Sequence, residues 1–363
     1  MGESRFAGVD WASEEHAVCV VDEQGRIVEG RRYRHSEIGL RALCSRLQRL
    51  AVKLVAIERP DGLLIERLLD AGLVVIAVHP NQVRAAGPRY TVAGGKSDGF
   101  DSFVLAELAR TDSHRFRILV PDTDQTKALR VLTRSRQDLV RTRIVLANQQ
   151  RLAAFLSKHG YPGRKPAKEL LGKLRAGAEG RAGEFETQAR REIVLAMVSA
   201  LEPIVQRISE LTIEIRLALN AHPDGPTFRS LFICDEAWLT AATMLAEIGD
   251  CRDRYPSYRA LAADAGQSPV AHESGKSKRA TFRWACDHRL REAFNTLSDS
   301  SRHHNPWADD IYTRARKRGA SHAHAARILG RSWTQIIWRL WQDHDTYNPT
   351  KHTARQRLLT PEG

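Results

Sequence analysis

At 363 residues and 40.8 kDa, the chain is long enough for two or three folding units of about 150 residues each. Its 42% hydrophobic and 27% charged residues, without an uncharged apolar run of membrane-spanning length, argue against disordered, fibrous and membrane-spanning proteins and favour a soluble, cytoplasmic one. The net charge of +13 lies almost entirely in residues 121–363, where 39 lysines and arginines face 27 acids, and this asymmetry indicates a polyanionic partner such as nucleic acid.

Strand and helix patterns alternate through the first 120 residues. Short apolar runs and one hairpin predict five strands, at residues 6–9, 17–21, 26–33, 54–57 and 73–78. Apolar residues at helical spacing predict three helices, at residues 38–50, 62–70 and 98–110. The order β-β-β-α-β-α-β-α predicts an α/β domain in which a mixed sheet carries helices on its faces.

The middle of the chain predicts two long helices, at residues 123–159 and 184–220, joined by a basic, glycine-rich connector. They are expected to form an antiparallel hairpin, either a coiled-coil or dimerising arm or a plain helical bundle packed on the first domain. A His-Pro-Asp-Gly-Pro break at 222–226 precedes a mostly helical last unit. The predicted parts are an α/β domain, a helical hairpin, a helical domain and a polar tail, at residues 1–120, 121–221, 222–345 and 346–363.

Four acidic residues of the first domain stand where strands end or a helix begins. Asp10 follows the first strand and Glu58 a later one, so both are expected at an edge of the sheet. Asp98 and Asp101 are three residues apart at the start of a helix and share one face. Four acids at one place repel each other unless divalent cations neutralise them, and two Mg²⁺ ions about 4 Å apart can promote phosphodiester cleavage. The alternative is a structural role as helix caps or strand-end ion pairs.

Three motifs around these acids resemble one known family. They read Gly-Val-Asp-Trp-Ala at 8–12, Ile-Glu at 57–58 and Lys-Ser-Asp-Gly-Phe-Asp-Ser at 96–102. They resemble the DEDD transposases of bacterial insertion sequences, the IS110 group, whose first domain has a RuvC-like, RNase H-like fold. The resemblance implies that the four acids bind Mg²⁺, namely Asp10, Glu58, Asp98 and Asp101. Gly99 and Phe100 stand where the family often has a longer polar residue, and this departure leaves both helix carboxylates in place.

The last third of the chain resembles the C-terminal transposase domain of the same family. The similarity rests on four motifs, Leu-Ala-Glu-Ile-Gly-Asp at 245–250, Tyr-Pro-Ser-Tyr-Arg-Ala-Leu-Ala at 255–262, Ala-Gly-Gln-Ser-Pro at 265–269 and Glu-Ser-Gly-Lys at 273–276. One departure lies at 233–238, where Ile-Cys-Asp-Glu-Ala-Trp replaces a glycine-rich turn. Because its two acids would oppose a phosphate, DNA contact at this turn is not expected.

In this family a serine of the last domain attacks DNA, and Ser274 occupies that position. Gly275 beside it removes a side-chain obstacle to the approach of a backbone. Four basic residues are expected to hold the scissile phosphate, Lys276, Lys278, Arg279 and Arg283. His272 is the nearest base but is expected to project differently, so activation is assigned to Mg²⁺ held by the first domain. Ser274 as an ordinary loop serine, with Ser268 or Ser277 as the nucleophile, stays an alternative.

The resemblance as a whole implies a DNA transposase or recombinase of an insertion sequence that exchanges strands through a serine–DNA intermediate. It further implies donor and target DNA, a structured guide (bridge) RNA, a dimer of dimers with composite sites, and a place in the bacterial cytoplasm with the nucleoid. Two other functions stay open. One is a RuvC-like junction nuclease that uses the acids and water alone, and the other is a non-enzymatic nucleic-acid-binding protein.

The remaining features have structural interpretations. Trp333, Trp338 and Trp341 share one predicted helix and are expected in a core rather than as base-stacking platforms. The arginines from Arg130 to Arg143 are expected on a solvated helix face, with nucleic-acid contact as the second interpretation. Scattered histidines and five cysteines without a CxxC pair argue against a zinc site and a disulfide framework.

Overall fold

The computed structural model describes residues 4–58, 62–91, 97–148, 185–232, 237–274 and 277–351. Its contacts divide the chain into two compact units, Met1–Pro121 and Asp122–Gly363, which are described separately. Several predicted features lie outside the described residues, namely 149–184 of the long helices and their connector, 233–236 of the altered turn, Gly275, Lys276 and 352–363 of the tail. Within the described ranges, no helix is both long and apolar enough to span a membrane.

The first unit is built on a five-stranded mixed sheet. Its strands are β1 Arg5–Asp10, β2 Glu15–Val21, β3 Ile27–Arg34, β4 Val52–Ile57 and β5 Val75–Ala77. The spatial order is β3-β2-β1-β4-β5, with β2 antiparallel to both β1 and β3 and with β4 parallel to both β1 and β5. This order and these directions are the RNase H-like arrangement, so the fold predicted for the first domain is confirmed.

Four helices cover the two faces of the sheet, α1 Glu37–Arg49, α2 Leu63–Asp70, α3 Pro80–Ala86 and α4 Asp98–Thr111. Leucines of α1 and α2 pack with Val9, Val55 and Ile57 in one core, while α3 and α4 pack with Ala56 and Ile76 in the other. Because both faces are covered, the central strands are apolar runs without alternation. The sequence did not predict α3, which is only seven residues long.

Helix α4 lies directly on β1 at Gly8. A Cβ at this position would lie 2.0 Å from the carbonyl oxygen of Ser102 and 2.4 Å from the amide nitrogen of Ala106, so only glycine allows this approach. We expect Gly8→Ala to lower the free energy of unfolding by about 1–3 kcal/mol or more, because both clashing atoms belong to a helix backbone that cannot rotate away. Gly30→Ala is the matched control, since a Cβ at this strand position meets no atom within 4 Å. Urea unfolding of both variants measures the difference, and equal stabilities would contradict the close approach.

The described residues of the second unit form helices and one hairpin. Its helices are α5 Asp124–Ala147, α6 Phe185–Ala221, α7 Gly225–Arg229, α8 Trp238–Ile248, α9 Tyr258–Asp264, α10 His288–Ser301, α11 Pro306–Lys317 and α12 His322–Asp343. The hairpin consists of β6 Val270–Ser274 and β7 Ser277–Thr281. The sequence did not predict this hairpin, because its strands are polar and lack apolar alternation.

The two long helices run antiparallel in their described parts. Leu146 near the end of α5 packs on Val194 and Val198 near the start of α6, and Thr126 near the start of α5 bonds His222 just after α6. Both helices also pack against α8, so they join the core of the second unit as a helical bundle. The division of this part into a separate hairpin and a last domain stays a prediction.

Trp333 and Trp341 of α12 are fully buried in the core of the second unit, which confirms the prediction for these two rings. Trp338 packs against the same core, and its ring N–H donates to the carbonyl oxygen of Tyr255 at 2.8 Å. Indole rings placed in this way combine a large apolar area with one satisfied donor, as buried tryptophans generally do. None of the three is a base-stacking platform.

Two arginines of α5 are not on a solvated face, and the interpretation of the run from Arg130 to Arg143 is wrong for them. Arg130 bonds the carboxylate of Asp122 at 2.5 Å, and Arg134 forms two bonds of 2.9 and 2.6 Å with Glu247 of α8. Both carboxylate side chains are 1% exposed. Burial raises the pKa of Glu247, and Arg134 opposes that effect only in part. These arginines therefore neutralise buried acids.

Candidate active site

Two of the predicted acids lie at the ends of neighbouring parallel strands. Asp10 is the last residue of β1, and Glu58 directly follows β4. In the parallel ladder, Val9 is opposite Ile57, so the two acids lie side by side one step further along the strands. Both residues are partly exposed. The sheet therefore carries a pair of carboxylates at one edge, as the sequence predicts.

The other two acids open the helix that crosses this edge. Ser97 caps α4, its hydroxyl oxygen accepting from the Phe100 N–H at 3.2 Å, and Asp98 and Asp101 lie in the first turn. At the other end of the helix, Arg110 donates to the carbonyl oxygen of Glu23 in the β2–β3 turn. That turn is at the start of β1, so α4 runs antiparallel to β1. Its first turn therefore lies at the end of the sheet that carries Asp10.

Arg32 of β3 pairs with one of these helix acids. Its guanidinium lies 3.2 Å from the Asp98 carboxylate, and both side chains are more than half exposed. Arg32 is opposite Ala17 of β2, and Ala17 is opposite Asp10, so this ion pair lies in the same cross-strand row as Asp10. No pattern in the sequence indicates this contact, because it depends on strand register.

The structure thus brings all four predicted acids to one end of one sheet, but not into one compact cluster. Among the residues that the structure describes, no three His, Cys, Asp or Glu side chains lie close enough together to hold a metal ion. The residues that flank Glu58 and Asp98 in the chain, 59–61 and 92–96, are outside the described part. The assignment of the four acids as metal ligands stays a prediction.

Two histidines next to Asp10 were missed by the sequence reasoning. His16 of β2 is fully buried, and its Nε2 lies 2.8 Å from Nδ1 of His35. The Ala12 N–H donates to Nδ1 of His16 at 3.4 Å, so Nε2 carries the proton and donates to His35. The ring of Trp11 packs against both imidazoles, with centroids 6.3 Å apart in each case. The sequence feature that could have indicated this pair is His16, a histidine directly before the apolar run of β2.

His16 is uncharged at neutral pH. Burial, and then the neighbouring His35, lowers the pKa of His16 to about 4. A neutral His16 can accept from the backbone of Ala12, whereas a protonated ring would lose that bond. His16 therefore fixes the turn that follows Asp10 rather than acting as a proton donor near pH 7.

Ser274 is the last residue of β6, at the end of the hairpin of the second unit. It is opposite Ser277 of β7 in the antiparallel ladder. His272 lies two residues earlier in the same strand. The expectation that its imidazole projects differently from Ser274 stays a prediction. The imidazole Nε2 lies 3.1 Å from the hydroxyl of Thr281.

The basic residues predicted to hold a phosphate follow this serine. Lys278 and Arg279 lie on β7, opposite Glu273 and His272, while Lys276 is outside the described residues. Arg283 comes just after the hairpin, and its Nε donates to the carbonyl oxygen of Ser268 at 3.1 Å. Ser268, one of the alternative nucleophiles, thus precedes the hairpin and contacts Arg283 through its backbone.

Comparison with known proteins gives two family matches in this chain. A model described as a DEDD transposase matches residues 7–160, which include all four acids. A model described as the transposase family IS116/IS110/IS902 matches residues 237–313, which include Ser274. The first match covers the sheet of the first unit and the second covers the hairpin.

Individual relatives are similar over nearly the whole chain. The protein assigned as the transposase of the IS117 mini-circle in Streptomyces coelicolor is 30% identical, covering 98% of this chain and 97% of its own length. The transposase for insertion sequence element IS1111A of Coxiella burnetii is 24% identical over 96% of this chain and 92% of its own. A solved structure of T. thermophilus RuvC with a Holliday junction substrate has 17% identity over 32% of this chain and a TM-score of 0.26, so the fold assignment rests on the strand order above.

Proposed function

Because the chain belongs to the IS110 family of DEDD transposases, we propose that this DNA-cleaving recombinase works through a serine–DNA intermediate assisted by Mg²⁺. Asp10 and Glu58 at the ends of parallel strands, with the first turn of α4 at the same end, are the observation that carries the proposal. Donor and target DNA are the substrates in this proposal.

The chemistry of the donor set fits Mg²⁺. All four groups are carboxylates, and Mg²⁺ prefers hard oxygen ligands and binds through a few carboxylates with retained waters. Bound there, the ion would activate the attacking oxygen and stabilise the leaving one. The Arg32 guanidinium forms an ion pair with Asp98 in the structure. Binding of Mg²⁺ through Asp98 therefore requires that this exposed ion pair opens. Such pairs contribute only about 0–1 kcal/mol, so opening it costs little.

Ser274 is the proposed nucleophile of the second unit. Its Oγ attacks the phosphorus of one strand, a phosphoserine ester forms, and the bond from phosphorus to the leaving strand oxygen breaks while that oxygen takes up a proton. The ester conserves the energy of the broken bond, so a second strand can displace the serine without an external energy source. Its place at the end of a hairpin, with Gly275 next in sequence, supports this role.

The proposal includes a guide RNA and an assembly of dimers. Family membership and the charge support both. The second unit, with 39 lysines and arginines against 27 acids after residue 120, carries nearly all of the surplus positive charge of the chain. A tetramer would allow the acids of one protomer to serve the serine of another.

The four acids Asp10, Glu58, Asp98 and Asp101 at one end of the sheet are called the acid edge. Its role is tested by replacing Asp10 with asparagine and Glu58 with glutamine. Each change removes a metal-binding charge while keeping the side-chain shape, so we expect recombination to fall by about 100-fold or more. The measurement is excision of the element, with its native flanking DNA, from a plasmid in bacteria, quantified by amplification across the repaired junction. Asp70→Asn on α2 is the matched control, since Asp70 is exposed and is the last residue of the helix whose first turn follows Glu58. Excision at the control level in both variants, with normal protein levels, would reject the acid site.

A further inference from the structure

A cavity of about 390 Å³ lies at the base of the β6–β7 hairpin, at the end opposite to Ser274. Its walls come from the segment before β6, from the end of β7 and the residues after it, and from the first half of α12. The side chains that line it include Phe282, Arg283, His324, Arg327 and Arg331. Only Arg283 among them is expected to take part in the proposed reaction, by holding the scissile phosphate, and the other four have no role in it.

The cavity carries positive charge that is not neutralised. Arg283, Arg327 and Arg331 line it, and among the residues that the structure describes none of them forms an ion pair with a carboxylate. Arg283 and Arg327 are partly buried, as is Arg130 of the same unit, but Arg130 pairs with Asp122. A concave surface with several unpaired guanidinium groups is suited to an anion, most of all to phosphate.

The guanidinium groups of Arg291 and Arg327 both lie over the ring of Phe282, which lines the cavity. The central carbons of Arg291 and Arg327 lie 4.7 and 4.9 Å from the centroid of the Phe282 ring. Burial, and then the neighbouring Arg291, lowers the pKa of Arg327. The buried Nε of Arg291 makes no hydrogen bond to any described residue. Two cations held this close repel each other, and an anion in the cavity would relieve that repulsion.

The start of a long helix faces the same space. Ser321 caps the 22-residue helix α12 and lines the cavity, and so does His324 one turn into the helix. Arg327 and Arg331 follow at positions that share this face of the helix. The unpaired backbone N–H groups of the first turn add a partial positive charge to that of the arginines.

An exposed tryptophan lies next to this cavity. Trp284 is 75% exposed, and its ring packs edge-on against the ring of Phe282 with centroids 4.8 Å apart. Large apolar rings are rarely left this exposed, and an indole beside a phosphate site is the arrangement that stacks an unpaired base. A cavity suited to a phosphate and an exposed ring suited to stacking a base thus lie next to each other.

We propose that this cavity binds a backbone phosphate of single-stranded nucleic acid while the adjacent base stacks on Trp284. The inference rests on the proposed function only in taking nucleic acid as the substrate, and it needs neither the acids nor the serine. It gives the hairpin a fixed anchor at its base, so that a strand held there is positioned relative to the serine end of the same hairpin.

Binding of labelled 20-nucleotide single strands to the full-length protein, in EDTA to prevent cleavage, tests the phosphate contact. We expect Arg327→Gln and Arg331→Gln each to weaken binding by about tenfold and to reduce the slope of log affinity against log salt by about 0.7. Arg318→Gln is the matched control, because it removes the same charge at an exposed position that does not line the cavity. DNA and RNA strands of the same sequence show which of the two is bound more tightly.

The base contact has its own test. Trp284→Ala is expected to weaken binding of the normal strand by about 5- to 100-fold, to leave an abasic strand unaffected, and to be rescued by Trp284→Phe. If both arginine variants bind like the Arg318→Gln control, with an unchanged salt slope, the cavity is not a phosphate site. Because binding is measured in EDTA and without cleavage, its outcome does not depend on the serine step. Rejection of Ser274 as the nucleophile and rejection of the cavity as a phosphate site therefore come from different measurements.

Discussion

A Ser274→Ala protein is expected to form no covalent adduct with DNA and to lose element excision by about 1,000-fold or more. The proposed phosphoserine ester cannot form without the side-chain oxygen, and no neighbouring step replaces it. Cells that carry the element with its native flanks are lysed in a denaturing detergent, and DNA that stays attached to the protein is quantified. The wild type should retain the ends of the element on the protein, and the variant should not.

Two serines of the same region serve as controls. Ser277 is opposite Ser274 across the hairpin, and Ser268 precedes β6, so Ser277→Ala and Ser268→Ala remove the same atoms nearby. Both should keep the adduct. An adduct that persists in Ser274→Ala and disappears in one of these two would move the nucleophile there. Cleavage that persists in Ser274→Ala at the wild-type rate and without any adduct would indicate a junction nuclease that uses water.

The acid edge could be predicted from sequence because the signal is local. An apolar strand that ends in an acid gives the position of Asp10 and Glu58, and a capped helix start gives that of Asp98. The contacts that modulate the edge could not be predicted. Arg32 pairs with Asp98 through the register of three strands, and His16 pairs with His35 across a hairpin. Register depends on the whole sheet, whereas strand ends depend on neighbouring residues.

The hairpin that carries Ser274 was missed for a related reason. Its strands read Val-Ala-His-Glu-Ser and Ser-Lys-Arg-Ala-Thr, and neither has the alternation of a half-buried strand. The described residues Ala271, His272, Arg279 and Ala280 are all exposed, so burial left no pattern in this part of the sequence. Only the motif similarity identified Ser274, and the strand register then placed it at the end of β6, opposite Ser277.

The Leu-Ala-Glu-Ile-Gly-Asp motif at 245–250 served only as a mark of similarity, and the structure gives it a physical role. Glu247 accepts from Arg134 of α5, and Asp250 accepts from the backbone N–H of Thr123 at 3.1 Å. A Cβ on Gly249 would lie 2.3 Å from a carboxylate oxygen of Asp122, and its φ of +82° also favours glycine. The motif therefore joins the end of α8 to the start of α5, through partners more than 100 residues away in sequence.

Replacing Asp122 with asparagine is expected to lower the free energy of unfolding of the second unit by about 3–5 kcal/mol. The carboxylate is buried and accepts from Arg130, from Arg254 and from the backbone N–H groups of Asp250 and Cys251. Asparagine keeps the shape but leaves two guanidinium groups without a buried counter-charge. Urea unfolding followed by circular dichroism measures the loss as a lower midpoint with an unchanged slope.

Asp138→Asn on α5 provides the matched control. Its carboxylate pairs with Arg141 and Arg289, but its side chain is 58% exposed, so the expected change in stability is within about 0.5 kcal/mol. A loss at Asp122 no larger than that of the control would show that the buried network does not hold α5 to α8.

The difference in the free energy of unfolding between the wild type and Asp122→Asn depends on pH, and the direction of that dependence follows from the pKa of Asp122. Burial by itself would raise the pKa of Asp122, but the guanidinium groups of Arg254 and Arg130, with the hydrogen bonds, outweigh it and hold the pKa below its usual range. A carboxyl group with a lowered pKa in the folded state stabilises the protein above its unfolded pKa of about 3.9 and loses that contribution as the pH falls through the folded value. The gap between wild type and Asp122→Asn should therefore be full at pH 7 and shrink below about pH 4. Glu247, whose pKa is raised, is present in both proteins, so its opposite dependence cancels in the difference. A gap that stays constant down to pH 3 would mean that the charge of Asp122 does not stabilise the fold.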